Sequence, residues 1–194
     1  MSHNDDKRRI IGVTGTPGTG KKTISRILAS LMSIRHIDLN TIALNGNTIM
    51  GKDEHGFIAS TTKLRKLVKP ILNAKDLILS GHLLPSVLKK NEVDFVFILR
   101  CEPETLKLRL IRRGYKPEKL LQNIGAEVLG VIYAETLNCF GHNKISEHNT
   151  TSENPEKIAE NIVNICEGKS NLISPSIDWL SSTIDKSTLQ RYFG

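Results

Sequence analysis

Residues 15–23, GTPGTGKKT, are the part of this 194-residue chain whose residue types and spacing are best suited to chemistry. Glycines such as Gly18 and Gly20 let the backbone curl without Cβ clashes, so that successive N–H groups can point at one anion. An apolar run precedes the stretch and a helical pattern follows it, and the start of a helix adds partial positive charge. Lys21 can reach the outer phosphates of a nucleotide. We therefore predict a nucleotide phosphate-binding loop, because a glycine-rich turn without a ligand leaves both the spacing and Lys21 unexplained.

The residue after Lys21 departs from the commonest form of this motif, in which a hydroxyl follows the lysine and holds Mg²⁺. Here Lys22 takes that position, and the hydroxyl comes one residue later, at Thr23. The loop resembles that of adenylate kinases and related nucleoside monophosphate kinases, which has the form GxPGxGKxT. This resemblance implies that Thr23 contacts an α- or β-phosphate. We expect Lys22 to offer its backbone N–H, with its side chain directed outward.

Three arginines, Arg109, Arg112 and Arg113, lie close together in the sequence. Arg109 and Arg113 are four residues apart, so in a helix they share one face and can converge on one ligand. Their predicted partner is the phosphate chain of a nucleotide, since the planar fork of arginine can neutralise two phosphate oxygens at once. The helix follows a predicted strand and ends at Gly114. In a P-loop kinase, a closing lid lies at this position. The alternative is a solvated basic face.

Ser80, Gly81 and His82 come at the carboxyl end of a short apolar run, residues 77–79. In an open α/β sheet, this end of a strand faces the ligand crevice. P-loop proteins usually have an aspartate there, which holds Mg²⁺ through water; Ser80 can hydrogen-bond a metal-bound water but adds no charge. His82 is predicted to orient a water or a phosphate, or to be a structural histidine. Asp38, at the end of another predicted strand, is a candidate to replace the missing acid.

The polar stretch of residues 40–62 contains Asp53 and Glu54, which are candidates to contact the ribose or base of a second substrate. Asn40 and Thr41 are open to the same interpretation. The alternative is a solvated loop, since polar stretches with several glycines are typical of loops.

The elements that position these residues alternate between short apolar runs and helical patterns, which is typical of a parallel sheet covered by helices on both faces. The predicted strands are residues 10–13, 35–39, 77–79 and 93–99, with a weak last strand near Ile145. The predicted helices run from the loop to about residue 32, over residues 63–73, 103–113 and 117–138, and from Pro155 to Gly168. Pro70 is expected to kink or end the helix over residues 63–73. In the tail, residues 169–194, Trp179 either docks on the domain or belongs to a mobile segment.

Length and composition fit a single domain, residues 1–194. No apolar run approaches the ~20 residues of a membrane span, and residues 1–9 have no signal-peptide core, so we expect no membrane partner and a cytoplasmic location. Three widely spaced cysteines indicate neither a disulfide framework nor a zinc site. The net charge of +7 fits a protein that handles polyphosphates, and it fits RNA contact equally well.

The sequence as a whole resembles the adenylate kinase isoenzyme 6 family of archaea and eukaryotes, which includes a small-subunit ribosome assembly ATPase. The matching segments, in chain order, are residues 15–23, 51–54, 81–83, 99–100, 109–115, 119–120, 123–124, 126–127 and 178–180. Residues 99–127 are the more specific part of the match, because the glycine loop alone fits many families.

This resemblance implies an α/β fold of the P-loop NTPase, nucleoside monophosphate kinase-like class, with a five-stranded parallel sheet flanked by helices. It also implies a monophosphate-binding segment near residues 38–61 and a short lid near residues 112–122. The residues expected to contact ATP are Gly18, Thr19, Gly20, Lys21, Lys22, Thr23, Arg113 and Asn154, the last beside the adenine ring. The residues expected to act in catalysis are Lys21, His82, Arg109 and Arg113, and no residue is assigned as a direct metal ligand.

The activities that the resemblance implies are ATP + AMP ⇌ 2 ADP, ATP hydrolysis, and a role in small-subunit rRNA maturation with a platform ribosomal protein as partner. ATP and Mg²⁺ are the implied cofactors. An ATP-hydrolysing or nucleotide-gated assembly factor with little kinase activity is the alternative. Transfer to AMP needs no general base because the attacking oxygen is already anionic, whereas hydrolysis must orient a water. Since Ser80 replaces the usual acid, we expect kinase activity to be better preserved than ATPase activity.

Overall fold

Strand β1, Arg9–Thr14, lies at the centre of a five-stranded sheet in the computed structural model, which describes residues 9–53, 56–74 and 76–182. The other strands of this sheet are β2 Arg35–Asp38, β5 Asp76–Ser80, β6 Phe95–Arg100 and β7 Ile145–Asn149. They lie in the order β2-β5-β1-β6-β7, and all neighbouring pairs are parallel. A separate antiparallel hairpin pairs β3 Ile49–Asp53 with β4 Gly56–Ala59. The predicted α/β fold with a five-stranded parallel sheet is confirmed.

Helices alternate with these strands along the chain. They are α1 Lys21–Met32, α2 Leu39–Asn45, α3 Thr61–Val68, α4 Leu84–Val87, α5 Pro103–Arg112, α6 Pro117–Val128, α7 Val131–Phe140, α8 Pro155–Cys166 and α9 Trp179–Ser182. Parallel strands need such crossover helices, because a tight turn can join only antiparallel strands.

Two helix starts are fixed by side-chain caps that border the carboxyl edge of the sheet. Asp38 Oδ1 accepts from the backbone N–H of Asn40 at the start of α2. Asn154 Oδ1 accepts from the backbone N–H of Glu156 at the start of α8, and proline occupies the first position of α8. Such caps satisfy N–H groups that the first turn of a helix leaves without partners.

The core lies on both faces of the sheet. Helices α1 and α8 cover one face, where the buried side chains include Ile11, Val13, Ile24, Leu28, Phe97, Ile158 and Ile162. Helices α2, α3, α4 and α7 cover the other face, with Ile10, Leu39, Leu64, Leu84 and Phe140 among the buried side chains. A smaller cluster joins α5 to α6 through Leu106, Leu110, Leu120 and Ile124. Each such side chain contributes roughly 1.5–3 kcal/mol when fully buried, so the sheet is a rigid support for the loops at its edge.

Gly130 ends a helical stretch where the sequence predicts continuity. The prediction of one helix over residues 117–138 is wrong, because Gly130 adopts a left-handed backbone conformation with φ 62° between α6 and α7. Glycine takes this conformation without steric cost, so the chain can turn there.

The stretch of residues 40–62 is also more regular than expected, since it contains α2 and the β3–β4 hairpin. The helix predicted over residues 63–73 is shorter: α3 ends at Val68, and a 3₁₀ turn, Ile71–Asn73, follows Pro70. Proline has no backbone N–H to continue a helix. In the tail, Trp179 is only 8% exposed, so of the two alternatives for Trp179 the docked one is observed.

Candidate active site

The carboxyl ends of β1, β5 and β6 meet at one edge of the sheet. Val13 is in register with Ser80, and Thr14 is in register with Ile98. Residues 15–23, here called the phosphate loop, leave β1 at this edge, and residues 81–83 leave β5 beside them. Ligands of open α/β sheets bind in the crevice outside these strand ends, so the structure brings the predicted site residues of the two loops to the expected place.

Two glycines of the phosphate loop have backbone conformations that other residues rarely adopt. Gly18 has φ +98°, and a Cβ atom there would lie 2.5 Å from Leu106 Cδ1 of α5. Gly20 has φ 93° and is the N-terminal cap of α1. The positive φ angles of both residues, and the close approach of α5 to Gly18, favour glycine at these positions. This preference is independent of the ligand that the loop is predicted to bind.

Lys21 folds back over the phosphate loop. Its Nζ donates to the backbone carbonyl oxygens of Gly15 at 2.7 Å and Thr16 at 2.9 Å. Burial lowers the pKa of Lys21 from 10.5 to about 8, although the carboxylates of Glu127 and Asp38 partly oppose this shift. Because pH 7 lies below that pKa, the ammonium group stays mostly charged at the centre of the loop.

Asp38 and Arg113 are far apart in the sequence, but the charges of both affect the pKa of Lys21. Asp38 raises this pKa and Arg113 lowers it. Arg113 is exposed and caps the C-terminus of α5. Gly114, with φ +72°, then turns the chain toward α6. Residues 112–122 therefore include the corner between α5 and α6, and their role as a lid stays a prediction. The placement of Arg113 is compatible with a phosphate contact, which stays a prediction.

Arg109 has other partners than those expected. Its Nη1 donates to Thr150 Oγ1 at 3.2 Å, and its Nη2 donates to the carbonyl oxygens of Thr150 and Thr151. The guanidinium therefore holds the loop after β7, and the convergence of Arg109 and Arg113 on a phosphate stays a prediction. The helical spacing of the two arginines is correct, but the approach of the Thr150 loop decides where Arg109 points.

The loop after β7 also contacts the phosphate loop directly. Thr150 Oγ1 lies 3.0 Å from the carbonyl oxygens of both Thr19 and Arg100. Asn154, predicted to approach the adenine ring, follows in the same loop, and its side-chain oxygen caps α8. The loop of residues 150–154 is thus fixed beside the end of the phosphate loop.

Ser80 is buried, and its Oγ lies 2.8 Å from His36 Nε2, within hydrogen-bond distance. Burial lowers the pKa of His36, with the nearby cations Arg26 and Lys22 adding to the shift. The imidazole is therefore neutral at physiological pH and shares a hydrogen bond with the Ser80 hydroxyl. A hydroxyl has one donor and two acceptor positions, so the contact of Ser80 with a metal-bound water stays a prediction.

His82 lies in the crevice and is neutral at physiological pH. Burial lowers its pKa from 6.5 to about 4, and the charges of Lys21 and Lys119 lower it further, while Asp38 opposes them. The histidine thus lies within the electric field of the predicted catalytic lysine. A neutral ring nitrogen can donate or accept a hydrogen bond but brings no charge to a phosphate.

The remaining predicted residues are placed less completely. Lys22 and Thr23 are exposed on the first turn of α1. Asp53 ends β3, but its side chain lies outside the described residues, as does the whole of Glu54. Their predicted contact with a second substrate stays a prediction.

Glu127 is a site neighbour to which the sequence analysis gave no role. Its Oε2 accepts from the Oγ1 of Thr16, a phosphate-loop residue, across 111 positions of sequence. It was one of the positions that matched the family resemblance, which is a signal for importance but not for a contact. Only the packing of α6 against the sheet reveals the partner.

A cavity of about 690 Å³ opens along β2, next to the first turn of α1. Lys22, Arg26 and Arg35 give it a basic lining, with Asp38 at the carboxyl end of β2 and Ile42 from α2. Ligand pockets in proteins commonly have volumes of about 300–1,000 Å³. The cavity therefore offers a cationic pocket adjacent to the phosphate loop.

In the part of the chain that the structure describes, no group of three or more His, Cys, Asp or Glu side chains is arranged to hold a metal ion. The same residues contain no helix that is long and apolar enough to cross a bilayer.

The fold and the phosphate loop define the class of the protein, a P-loop kinase. Residues 11–130 match the family model described as AAA domain. The shikimate kinase of Bacteroides thetaiotaomicron superposes with a TM-score of 0.59 at 19% identity, over 82% of this chain and 98% of that one. The shikimate kinase of Acinetobacter baumannii, solved with shikimate, gives 0.56 at 18% identity, over 86% and 97%. At these identities the two structures show the fold alone.

Curated relatives narrow the class. A protein of Methanocaldococcus jannaschii named "Putative adenylate kinase" is 35% identical over 183 residues, which is 93% of this chain and 98% of that protein. A protein of the same name from Pyrococcus furiosus is 31% identical over 88% of this chain and 91% of that protein. Another, from Thermococcus kodakarensis, is 35% identical over 80% of this chain and 84% of that protein. The chain belongs to the family of these archaeal kinases and is a phosphotransferase.

Proposed function

We propose that the protein transfers the γ-phosphoryl group of Mg·ATP to a nucleoside monophosphate, with ATP + AMP ⇌ 2 ADP as the leading reaction. The observation that carries this proposal is the position of Lys21, whose ammonium lies over the phosphate loop within electrostatic reach of Asp38 and Arg113. The full-length similarity to archaeal proteins named as adenylate kinases supports the choice of reaction.

The nucleotide donor is proposed to lie along the phosphate loop, with Gly18 to Thr23 around its phosphates and its base beside residues 150–154. This orientation is supported by the contact between Thr150 Oγ1 and the carbonyl of Thr19, which joins the two loops. Arg109 would act by holding the Thr150 loop in place and so would be a positioning residue for the base.

In the transfer step, Lys21 and Arg113 would neutralise the charge on the transferring phosphoryl group. The acceptor phosphate is already anionic, so the step needs positioning and charge stabilisation but no general base. Neutral His82 would orient one phosphate oxygen through a hydrogen bond. Closure of the corner between α5 and α6 would exclude water, which competes as an acceptor.

Mg²⁺ bound with ATP would supply positive charge to the β- and γ-phosphate oxygens. Mg²⁺ takes oxygen ligands, keeps several waters and usually needs only one or two protein groups. The hydroxyl of Thr23 at the start of α1 and the carboxylate of Asp38 at the end of β2 are oxygen donors of the right type. Ser80, whose hydroxyl is hydrogen-bonded to His36, could bind a metal-bound water but adds no charge.

The acceptor monophosphate is proposed to enter from the cavity along β2. Its basic lining suits a phosphate, and residues of α2, which belongs to the predicted monophosphate-binding segment, also line it. The variant Arg26→Ala should raise the KM for AMP about tenfold and leave the KM for ATP unchanged. Lys66→Ala, which removes an exposed cation of α3 outside the cavity, is the matched control. Equal effects of both variants would place the acceptor elsewhere.

The test of the reaction is ADP formation from Mg·ATP with and without AMP, with Lys21→Ala as control. Strong acceleration of ATP consumption by AMP, absent in the Lys21 variant, is the expected result. Slow turnover that AMP does not change would overturn the kinase proposal. If AMP accelerates turnover, CMP, UMP and GMP in the same assay define the preferred acceptor.

A second candidate is an ATP-hydrolysing assembly factor for the small ribosomal subunit, as in the adenylate kinase isoenzyme 6 family that the sequence resembles. The net charge of +7 supports contact with RNA or a ribosomal partner, but it equally suits a nucleotide. Nucleotide-dependent binding of a platform ribosomal protein and rRNA, together with turnover that is independent of AMP, would favour this function.

A further inference from the structure

Glu127 joins the phosphate loop to the C-terminal part of the chain. Within the described residues, its carboxylate accepts hydrogen bonds from four groups. Thr16 Oγ1 donates to Oε2, while Arg100 Nε, the backbone N–H of Cys101 and Trp179 Nε1 donate to Oε1 at 2.8, 3.0 and 3.2 Å. These donors come from the phosphate loop, from the end of β6 and from α9.

A second buried carboxylate, Glu147 of β7, holds residues 173–179, here called the C-terminal strap. The backbone N–H groups of Ser176 and Ile177 donate to Glu147 Oε2 at 2.7 and 2.9 Å. Arg100 Nη1 donates to Glu147 Oε1 at 3.0 Å, so one guanidinium lies between the two glutamates.

The strap also runs beside the edge strand β7. The backbone N–H of Glu147 donates to the carbonyl of Ile173 at 3.1 Å, and the N–H of Ile173 donates to Ser146 Oγ at 3.0 Å. The strap therefore supplies partners for backbone and side-chain groups of a strand that pairs on its other side with β6.

The cluster contains one more buried anion than cations, so its carboxylates depend on neutral hydrogen-bond donors. Arg100, Glu127 and Glu147 are 2%, 1% and 4% exposed, so one buried cation faces two buried anions. A buried carboxylate is costly unless its oxygens accept enough hydrogen bonds. Besides the backbone N–H of Cys101, the neutral donors to the two carboxylates are the Thr16 hydroxyl and three N–H groups of the strap.

Thr16 connects this cluster to the predicted catalytic lysine. Its hydroxyl donates to Glu127, while its carbonyl oxygen accepts from Lys21 Nζ at 2.9 Å and from Thr19 Oγ1 at 2.9 Å. A nucleotide phosphate would compete with the Thr16 carbonyl for the Lys21 ammonium. Thr16 would then be affected both by a bound nucleotide and by the position of the strap.

We propose that Glu127 is a positioning residue of the phosphate loop and that, through Thr16 and Trp179, it couples nucleotide binding to the seating of the C-terminal strap. This inference rests on the nucleotide site of the proposed function but not on the acceptor or on turnover. Coupling of this kind is reciprocal: if the seated strap tightens nucleotide binding, bound nucleotide stabilises the seated strap by the same factor.

Trp179 makes the coupling measurable, because it is the single tryptophan of the chain. Titration of the full-length protein with Mg·ATP should change the emission of Trp179. Thr16→Val keeps the β-branched shape but removes the hydroxyl, so this variant should bind Mg·ATP with little change of emission. The control is Thr136→Val, which removes a buried hydroxyl that donates within α7 and should respond as wild type does.

The reciprocal arm uses Trp179→Phe, which keeps an aromatic ring and loses the N–H donor to Glu127. Calorimetry should show a Kd for Mg·ATP raised by about fivefold or more, the usual size of such coupling. Leu180→Ala changes an exposed neighbour in α9 and should leave the Kd unchanged. Thermal unfolding of each variant establishes that the protein compared is folded.

The inference is overturned if saturating Mg·ATP leaves the emission of the wild type unchanged and Trp179→Phe binds Mg·ATP with wild-type affinity. In that case the nucleotide site stands, because the wild type still binds. If the wild type binds no Mg·ATP at all, the proposed function and this inference both fail. If Mg·ATP binds and the coupling is measured while AMP does not accelerate turnover, only the kinase reaction is refuted.

Discussion

His36 Nε2 and Ser80 Oγ lie 2.8 Å apart, which ties edge strand β2 to β5 at the carboxyl edge of the sheet. Ser80 is only 2% exposed. Where P-loop proteins usually carry an acid, this protein therefore has a buried hydrogen-bonded pair without a carboxylate. The relationship determines what an introduced acid would do.

Ser80→Asp is expected to raise ATP hydrolysis in the absence of AMP, on the order of tenfold, while AMP-dependent transfer changes little. A carboxylate can orient an attacking water, which hydrolysis requires and transfer to AMP does not. The new charge should also raise the pKa of His36, which NMR titration would detect. Ser80→Asn is the neutral control of similar size. A gain confined to the AMP-dependent reaction would contradict the hypothesis.

The lowered pKa of Lys21 predicts how ATP binding depends on pH. Its pKa of about 8 means that the ammonium loses its proton as pH rises through that value, so the Kd for ATP should increase above pH 8. The stability of the fold depends on pH in the opposite direction. Between about pH 8 and 10.5, the folded protein binds fewer protons than the unfolded chain, so the contribution of Lys21 to stability rises with pH over that range.

Lys21→Arg is the control for this dependence, because arginine stays charged throughout. Its ATP affinity, measured by calorimetry from pH 6.5 to 9.5, should be weaker but flat above pH 8. An equal loss of affinity at high pH in both proteins would assign the titration to another group.

Arg109 and Arg113 should separate in their effects although they lie one helical turn apart. Arg109→Ala removes the donor to the carbonyls of Thr150 and Thr151, and should cost about 1–3 kcal/mol of unfolding free energy and raise the KM for ATP. Arg113→Ala removes an exposed side chain and should lower kcat at least tenfold with little change in stability.

Denaturant unfolding and steady-state kinetics on both variants check this separation. If Arg109→Ala were as stable as wild type and lost only kcat, the predicted convergence of the two arginines on the phosphates would be supported instead.

Gly18 should tolerate no side chain, because both its φ of +98° and the 2.5 Å approach of Leu106 Cδ1 exclude a Cβ atom. Gly18→Ala is expected to weaken ATP binding more than tenfold and to destabilise the protein by about 1–3 kcal/mol. Gly114→Ala is the matched control, since Gly114 also has a positive φ, +72°, but no atom within 4 Å of its added Cβ. It should cost about 1 kcal/mol and leave ATP affinity unchanged. Calorimetry and thermal unfolding distinguish the two, and similar losses of affinity would remove the role assigned to Leu106.

Local features of the site and the fold followed from the sequence. Residues 15–23 were recognisable because glycine spacing, a preceding strand and a following helix are local properties of the backbone. The alternation of apolar runs and helical patterns predicted the parallel sheet for the same reason. The cap at Asn154 and the proline after it predicted the start of α8 correctly.

The tertiary structure alone decided which side chains meet. Arg109, Ser80 and Glu127 each have a partner far away in the sequence, at separations of 41, 44 and 111 residues. The break at Gly130 is also decided by the tertiary structure, because glycine is tolerated within helices. Only the docking of α6 and α7 on different neighbours selects the left-handed conformation of Gly130. Local patterns report the period and chemistry of a segment, whereas hydrogen-bond partners depend on where distant segments cross, and that is set by the packing of the whole core.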